Sequence, residues 1–420
     1  MDRISLLPDD FILHILSLLP TKNVLTTSVL SKRWRYLWKL VSKLTYFDTD
    51  DNTDHGRFVR FVDRSLFLNT APVLESLHFK LDRQCSEVDI GLWIRIVAER
   101  GLRELNFEYS HMIAEPCKLP RSLYTCGTLV ALKLQNVSLV DVRFPVCFHL
   151  LKTLHLDTVI FLDDESPKKL LSSCPALEVL ELDRGGGDNV YRFSVIVPSL
   201  QRFIYSASGG GRTELVVNTP SLKYFKTFDL GSKYVIEYLP EIVEAHVEVI
   251  CSNTDDILRS LASLKRLLSC LPREPRSPTG CVFHQLEQLE FCTCETEWDA
   301  LISMLQHSPK LRSLKLNEIH DNFVGCCTLH WDEPSSVPET LALVLETFEW
   351  RNYRGWEIER ELASFILKHS RRLKSATFSP TAYILVREEL CTTTLQQKYG
   401  MITELSRLPR GSAECELVFC

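Results

Sequence analysis

At 420 residues, the chain is too long for one ordinary globular core, and its length favours two or three domains or one extended array of repeats. A hydrophobic content of 45% and a charged content of 24% are typical of globular proteins and argue against extensive disorder. The formal charge of −6 and the pI near 6.1 provide no basic surface for nucleic acid or anionic lipid, so neither nucleic acid nor a membrane is expected as a partner.

The chain begins with an apolar stretch that lacks the features of a secretory signal. Asp9, Asp10 and His14 interrupt this stretch, and no cleavage site of small residues follows it. Elsewhere the apolar runs are broken every five or six residues, which is far short of a membrane span. We therefore expect a protein of the cytoplasm, the nucleus or both.

Fifteen cysteines are scattered along the chain without the spacing of a disulfide framework. Without a secretory signal, the expected state is reduced cysteine that packs as a small apolar side chain. The pairs Cys292/Cys294 and Cys326/Cys327 are too closely spaced for a usual zinc motif, and neither has a matching second pair. We therefore predict neither a metal site nor a bound cofactor.

Three short helices are predicted within the first forty residues. Pro8 can open the first helix, because a proline there loses no hydrogen bond, and Pro20 ends it. Thr21 and Ser31 can cap the second and third helices with their side-chain oxygens. The first helix carries an apolar stripe at helical spacing, formed by Ile12, Ile15, Leu16 and Leu19. So small a unit cannot bury this surface alone, so either the rest of the chain or a partner must cover it.

This segment resembles the plant F-box. The matching strings are Leu7-Pro8-Asp9, Ile15-Leu16, Leu19-Pro20-Thr21-Lys22 and Leu30-Ser31-Lys32-Arg33-Trp34, with Phe11-Ile12 where a leucine pair is commoner. The resemblance implies that the helices bind a Skp-type adaptor, which links the chain to a cullin and its RING partner. The residues expected to bind the adaptor are Leu6, Leu7, Pro8, Ile12, Ile15, Leu16, Leu19, Pro20, Val29, Leu30 and Trp34. Inward packing or packing on the first repeat is the alternative, above all for Trp34 and Trp38.

The middle of the chain repeats the pattern L-x-x-L-x-L, which is typical of leucine-rich repeats. The clear copies are Leu129/Leu132/Leu134, Leu151/Leu154/Leu156, Leu177/Leu180/Leu182 and Leu311/Leu314/Leu316. Aromatic and weaker variants begin at Leu74, Leu102, Leu200, Leu222, Ile242 and Leu286. From Leu74 to Ile242 the first positions follow one another at steps of 20 to 28 residues. Each L-x-L is predicted to form a short strand with alternate side chains inward, so that stacked repeats share one core.

Two departures from the repeat pattern predict an irregular solenoid. The Asn or Cys that usually follows the strand is replaced at four positions, Val137, Val159, Gly185 and Ile319. Between about 248 and 282 the period is lost, and Asp255 to Leu271 has the apolar spacing of an amphipathic helix. Three prolines, from Pro272 to Pro278, then predict a stiff exposed loop. This insertion is interpreted as a surface loop, with a contact surface as the alternative.

The C-terminal part contains two more strand patterns, Leu345/Phe348/Trp350 and Leu373/Ala376/Phe378, with a helix predicted between them from Glu357 to His369. It resembles the plant FBD domain through Pro334-Ser335-Ser336-Val337-Pro338, Leu345-Glu346-Thr347-Phe348-Glu349-Trp350 and Leu408-Pro409-Arg410-Gly411-Ser412. His330-Trp331 replaces the Cys-Trp that is common in that family. Physically, this unit is expected to extend the repeat array and to cover its last open face.

The sequence contains no motif for catalysis or phosphate binding. The glycine runs at 185–187 and 209–211 follow repeat strands and lack both the Lys-Ser/Thr of a P-loop and the G-x-G-x-x-G spacing. No nucleophile or metalloprotease motif occurs. We therefore predict that the chain is not an enzyme, and that any part in ubiquitin transfer is played by holding a target near the charged conjugating enzyme.

Together these patterns predict an α/β protein with an F-box (1–45), a connecting segment (46–73), an irregular leucine-rich-repeat solenoid or horseshoe (74–328) and an FBD-type cap (329–420). The resemblance implies the substrate-recognition subunit of an SCF-type (Skp–cullin–F-box) ubiquitin ligase, whose repeats bind an unidentified protein target. One alternative is a non-catalytic scaffold that binds the adaptor without promoting degradation. Another is a small-molecule receptor that uses the repeat face, although nothing in the sequence marks a ligand pocket.

Overall fold

The structure is a computed structural model that describes residues 7–48, 55–110, 116–139, 146–185, 187–208, 213–229, 231–237, 239–249, 254–270, 281–293, 298–318, 331, 333–381, 383–386, 389–392 and 394–420. The chain divides into two compact units, an N-terminal unit (Met1–Pro220) and a C-terminal unit (Ser221–Cys420). No described helix is both long enough and apolar enough to cross a membrane.

The N-terminal unit begins with three short helices, α1 (Asp9–Ser17), α2 (Thr21–Thr26) and α3 (Lys32–Leu37). Single 3₁₀ turns at Thr27–Val29 and Trp38–Leu40 follow α2 and α3. Ser31 caps α3 as predicted, because its hydroxyl accepts the N–H of Trp34 at 3.4 Å. These helices make up the segment that resembles the F-box, and all of them lie where the proline and serine signals predicted them.

Thr21 does not cap α2, and that prediction was wrong. Pro20 occupies the cap position without a side-chain hydrogen bond. The buried Thr21 hydroxyl instead accepts the N–H of Thr45 at 2.8 Å. The hydroxyl therefore joins the F-box to the strand that follows it.

Parallel strands form the main sheet of the N-terminal unit. Along the sheet they are β1 (Lys43–Asp48), β2 (Ser76–Leu81), β3 (Glu104–Tyr109), β5 (Ala131–Gln135), β7 (Thr153–Asp157), β9 (Val179–Arg184) and β11 (Arg202–Ala207). Shorter parallel pairs involve β4 (Cys117–Lys118), β6 (Val137–Leu139), β8 (Ile160–Phe161), β10 (Arg192–Ile196) and β12 (Glu214–Asn218). The helices are α4 (His55–Leu68), α5 (Glu87–Ala98), α6 (Arg121–Tyr124) and α7 (Glu165–Ser172).

The repeat leucines of this unit lie in register across the sheet. The second pattern positions form one buried row, Leu77, Leu105, Leu132, Leu154, Leu180 and Phe203. The third positions form another, Phe79, Phe107, Leu134, Leu156, Leu182 and Tyr205. Because alternate side chains of a strand point to the same face, both rows enter one core, as predicted.

The C-terminal unit has the same kind of architecture. Its main sheet consists of β13 (Tyr224–Asp229), β15 (Glu244–Val249), β16 (Arg266–Cys270), β17 (Gln288–Cys292), β18 (Ser313–Asn317), β19 (Thr347–Tyr353), β20 (Ser375–Pro380) and β23 (Glu416–Phe419). The remaining strands are β14 (Lys233–Ile236) and an antiparallel pair, β21 (Tyr383–Val386) and β22 (Glu389–Thr392). The helices are α8 (Thr254–Ser260), α9 (Trp298–Gln306), α10 (Glu339–Leu343), α11 (Glu357–His369) and α12 (Leu395–Ser406).

The predicted insertion at 248–282 is largely another repeat, so this prediction was wrong. Helix α8 ends at Ser260, and β16 follows, paired in parallel with β15 and β17. Leu264 and Leu267 are buried at the first and second repeat positions. Two leucines three residues apart fit both a helix and the repeat pattern L-x-x-L. This ambiguity explains why a helix was predicted where the chain forms a strand. The predicted proline loop, Pro272 to Pro278, lies outside the described residues.

The asparagine predicted to be missing after the strands occurs one position earlier in two repeats. Asn136 adopts a left-handed backbone with φ of 52°, and its amide donates to the Ser110 carbonyl at 2.8 Å. Asn352 has φ of 57° and donates to the Glu318 carbonyl at 3.3 Å. Asparagine tolerates this conformation better than most residues. The side-chain link between repeats is therefore retained at these two positions.

Most of the cysteines whose side chains the structure describes are buried as small apolar side chains, as predicted. Those whose side chains the structure describes are free thiols, and the buried ones are Cys85, Cys117, Cys126, Cys174, Cys281, Cys292 and Cys415. Cys294, Cys326 and Cys327 lie outside the described residues.

The FBD-like segment closes the C-terminal unit. Helix α11 has the predicted bounds, and β19, β20 and β23 extend the parallel sheet. The N–H of Gly411 donates to the carbonyl of Leu367 near the end of α11 at 2.8 Å. A Cβ atom at Gly411 would lie 2.4 Å from the Lys368 carbonyl oxygen, which explains a glycine here in the Leu-Pro-Arg-Gly-Ser string.

Candidate protein-binding surfaces

The F-box helices enclose a small apolar core of their own. It consists of Ile12, Leu16, Val24, Trp34, Leu37, Trp38 and Val41. Ile12 and Leu16 are 0% exposed, because residues four apart on a helix share a face and this face of α1 points inward. The expected direct adaptor contact is therefore corrected for Ile12, Leu16 and Trp34, which hold the F-box together instead.

A different set of apolar side chains points outward from the same helices. Those on α1 and at the end of the 3₁₀ turn after α2 are Val29 at 83%, Leu18 at 72%, Leu30 at 66%, Phe11 at 61% and Ile15 at 41%. With the exposed Pro8, they are called here the outer apolar set. Leu7, Leu19 and Pro20 are half-buried, and Leu6 lies outside the described residues.

Phe11 and Leu18 were not among the residues expected to bind the adaptor. Together with Ile15 they follow the spacing i, i+4 and i+7, with Leu18 as the C-cap residue of α1, which places them on one helix face. Their spacing marks a second apolar stripe on this helix in the sequence itself. A helix that is apolar on two sides does not show by itself which side the fold will cover.

Arg33 fixes the start of α1 against α3. Its guanidinium donates from Nη2 to the carbonyl oxygen of Leu7 at 2.6 Å and from Nε to Oδ1 of Asp9 at 2.7 Å. These contacts join segments that are more than twenty residues apart in the sequence. They set the orientation in which α1 presents its outward side chains.

The outward positions of the repeat strands form a second candidate surface in each unit. In the N-terminal unit the central row is His78, Asn106, Lys133, His155, Glu181 and Ile204. In the C-terminal unit the row contains Lys226, His246, Leu268, Glu290, Lys315, Glu349, Thr377 and Val418. Such rows are the positions that the repeat pattern leaves free to vary.

Charges on these rows are largely neutralised by neighbouring strands. His155 Nδ1 lies 2.9 Å from a Glu181 oxygen, and Lys315 Nζ lies 2.9 Å from a Glu290 oxygen. Burial lowers the pKa of His155 below its usual value, although Glu181 partly opposes this effect. The surface is therefore mixed in charge and rich in hydrogen-bonding groups, without a strongly basic or acidic field.

Among the residues that the structure describes, one group has atoms suited to a metal ion. Ligand atoms of Asp48, His55 and Cys85 lie within 4.8 Å of one another. The Asp48 carboxylate already contacts His55 Nδ1 at 3.1 Å and the Arg83 guanidinium at 3.5 Å. Burial and the Asp48 charge raise the pKa of the Cys85 thiol to about 12, which disfavours the thiolate that a metal requires. The geometry favours an ion-pair cluster, and the absence of a metal site stays a prediction.

Comparisons with known proteins agree with this architecture along the chain. The F-box domain family model matches residues 4–46, and the FBD family model matches residues 333–378. A third model, "FBD-associated F-box protein At5g56370, LRR repeats", matches residues 90–235 and 241–336.

Curated relatives from Arabidopsis thaliana match over the full length. "FBD-associated F-box protein At5g56370" is 69% identical over 424 residues, which cover 100% of both chains. "F-box/FBD/LRR-repeat protein At5g56420" is 46% identical and covers 100% of this chain and 99% of the relative. "F-box/FBD/LRR-repeat protein At4g26340" is 42% identical over 100% of both chains.

Proposed function

Because the chain belongs to the FBD-associated F-box proteins with leucine-rich repeats, we propose that it is the substrate-recognition subunit of an SCF-type ubiquitin ligase. In this role the F-box binds a Skp-type adaptor, which connects the chain to a cullin and its RING partner. The repeats bind a protein target, and the FBD segment completes the repeat array. The outer apolar set on the F-box helices is the observation that carries the proposal.

Adaptor binding explains why so many apolar side chains remain exposed within so short a segment. Five residues of the outer apolar set are each at least 41% exposed, although the F-box has a well-packed core beside them. Burying apolar surface contributes about 25 cal/mol per Å², and exposed apolar clusters usually mark interfaces. We therefore assign adaptor contact to Phe11, Ile15, Leu18, Val29 and Leu30, with Leu7, Pro8, Leu19 and Pro20 beside them.

Target binding is assigned to the outward rows of the repeat strands. These rows combine neutral, charged and apolar side chains, which suits a folded protein surface better than a polyanion such as nucleic acid. The chain itself contributes no catalytic group in this proposal. It accelerates ubiquitin transfer by raising the effective concentration of target lysines near the conjugating enzyme. The proposed location is the cytoplasm, the nucleus or both, which imaging of a fluorescent fusion tests.

The adaptor contact is tested by measuring the affinity of the full-length chain for a purified Skp-type adaptor. The double substitution Phe11→Ala with Leu18→Ala is expected to weaken binding at least about tenfold, since interface anchors cost more than about 1 kcal/mol each. Phe67→Ala is the matched control, because Phe67 is 84% exposed on α4, outside the F-box. Failure of the intact chain to bind any adaptor overturns the proposal.

A scaffold that engages the adaptor without promoting degradation is distinguished by reconstitution. The chain, adaptor, cullin and RING subunits are combined with a target captured by proximity labelling under proteasome inhibition. Ubiquitin transfer to that target, lost in the Phe11→Ala/Leu18→Ala variant, is expected of a ligase subunit. Adaptor binding without such transfer, and without a change in target level when the chain is deleted, favours the scaffold.

A further inference from the structure

A cavity lies in the N-terminal unit where the F-box helices adjoin β1, the edge strand of the main sheet. Its volume is about 410 Å³, which is in the range of small-molecule sites. Its walls come from three elements that are separate in sequence: the start of α2, strand β1 and helix α4. No sequence pattern pointed to this cavity, because no local motif encodes it.

Four aromatic side chains line the cavity. Phe58 and Phe61 line it from α4, and Tyr46 and Phe47 line it from β1. The Tyr46 hydroxyl is 2.8 Å from the Ser65 hydroxyl, so this polar group is already engaged in the core. The Tyr46 and Phe61 rings meet edge to face, with centroids 5.9 Å apart. Such walls favour a flat apolar body.

Two cationic side chains also line the cavity. Lys22 and Arg57 are both exposed, and neither forms an ion pair or hydrogen bond with another residue in the described part of the chain. Asp48 is the acidic residue on the wall, and its charge is countered by His55 at 3.1 Å and by Arg83 at 3.5 Å. The cavity therefore pairs an apolar interior with available positive charge.

The edge of β1 adds a backbone donor. The Ser42 carbonyl accepts the N–H of Glu75 at 2.8 Å, on the β2 side, whereas the Thr45 N–H points the other way to Thr21. Because peptide groups alternate along a strand, the N–H of Phe47 also points away from β2. Phe47 lines the cavity, so a ligand oxygen there would find both a backbone donor and a cation.

We propose that this cavity binds a small aromatic carboxylic acid as its anion, with the ring between Phe58 and Phe61 and the carboxylate toward Lys22 and Arg57. The apolar walls select the ring, and the two cations with the Phe47 N–H select the negative charge. The proposal does not rest on the ligase role, because none of the residues assigned to the ring or the carboxylate belongs to the adaptor contact, although Pro20 of that contact also lines the cavity.

Titration calorimetry of the full-length chain with 2-naphthoate and 3-phenylpropionate tests the site. Saturable binding is expected, with the neutral amide of each acid at least about tenfold weaker, since a charge-assisted contact is lost. Arg57→Ala is expected to weaken binding of the acids by a similar factor. Arg64→Ala, which removes an exposed arginine of α4 outside the cavity, is expected to leave binding unchanged.

Phe61→Leu keeps an apolar side chain at its site and is expected to weaken binding of the naphthyl acid while the protein retains its melting temperature. Absence of binding by either acid overturns the proposal. Equal weakening by Arg57→Ala and Arg64→Ala overturns it as well, because general electrostatic attraction would then suffice. Binding of an acidic aromatic peptide without binding of the free acids assigns the cavity to a protein partner instead.

Discussion

The hydroxyl of Thr21 accepts the N–H of Thr45 at 2.8 Å, and this bond links helix α2 to β1, the edge strand of the main sheet. An edge strand presents unpaired N–H groups that need partners. Thr21 is 1% exposed, so water cannot replace its hydroxyl. The bond therefore contributes to holding the F-box helices in a fixed orientation on the main sheet.

Thr21→Val keeps the shape of the side chain but leaves the Thr45 N–H without its acceptor. The expected cost is about 1–3 kcal/mol, because a buried donor loses its partner. Thermal unfolding followed by calorimetry should show a lower melting temperature. Thr26→Val is the matched control, since the Thr26 hydroxyl is exposed and donates only within α2 to the Asn23 carbonyl. Equal melting temperatures for the two variants would show that the Thr21 bond contributes nothing.

Substitutions at Leu267 and Leu268 test whether this segment forms strand β16, as in the structure, or the helix predicted from the sequence. In strand β16, Leu267 is 2% exposed and points inward, whereas Leu268 lies on the outward row. The helix predicted from Asp255 to Leu271 would instead bury Leu268 together with Leu264. Leu267→Ala is therefore expected to cost about 2–5 kcal/mol, as for other buried leucines. Leu268→Ala should cost much less, and chemical denaturation that shows the reverse order would contradict the strand.

Most strands could be predicted from the sequence because each repeat specifies its own strand locally. Leu132 and Leu134 alternate in a short segment and need no distant information to be assigned inward. The F-box was harder, since α1 is apolar on two sides and only packing against Trp34 and Trp38 decides that Ile12 is buried.

The cavity could not be predicted for a related reason. Lys22, Phe47 and Arg57 come together only after three separate segments have folded. The cluster of Asp48, His55 and Arg83 is likewise formed by residues from different elements. Sequence periodicity locates elements, whereas sites of this kind depend on how elements meet.

Alanine substitutions at Gly411 and Gly400 are expected to change the stability of the FBD segment in opposite directions. Gly411→Ala places a Cβ atom 2.4 Å from the Lys368 carbonyl oxygen, so the chain must move away from the end of α11. We expect a lower melting temperature and faster amide exchange in the last turn of α11. Gly400 lies inside α12 with no other group within 4 Å of an added Cβ atom. Gly400→Ala should therefore stabilise the chain by about 0.5–1 kcal/mol, through the higher helix propensity of alanine. Equal effects of the two substitutions would show that the close approach at Gly411 is not required.

Glu359 near the start of α11 is the clearest source of pH-dependent stability. Its carboxylate accepts the backbone N–H groups of Arg354 and Gly355 at 2.8 Å and of Trp356 at 3.4 Å. Burial raises the pKa of Glu359 to about 7, although these N–H groups and the Arg354 charge partly oppose the shift. The folded protein therefore binds this proton more tightly than the unfolded chain, in which the pKa is near 4.5.

A raised pKa in the folded state means that the stabilising contribution of protonated Glu359 is complete below pH 4.5 and is lost as the pH rises to about 7. The loss amounts to about 3 kcal/mol and should not grow further above that pH. Glu359→Gln removes the titration, so its free energy of unfolding is expected to vary less between pH 4.5 and 7 than that of the unmodified chain. Denaturation of both proteins at a series of pH values measures the difference. Parallel curves for the two proteins would show that the backbone N–H groups, rather than burial, determine the charge state of Glu359.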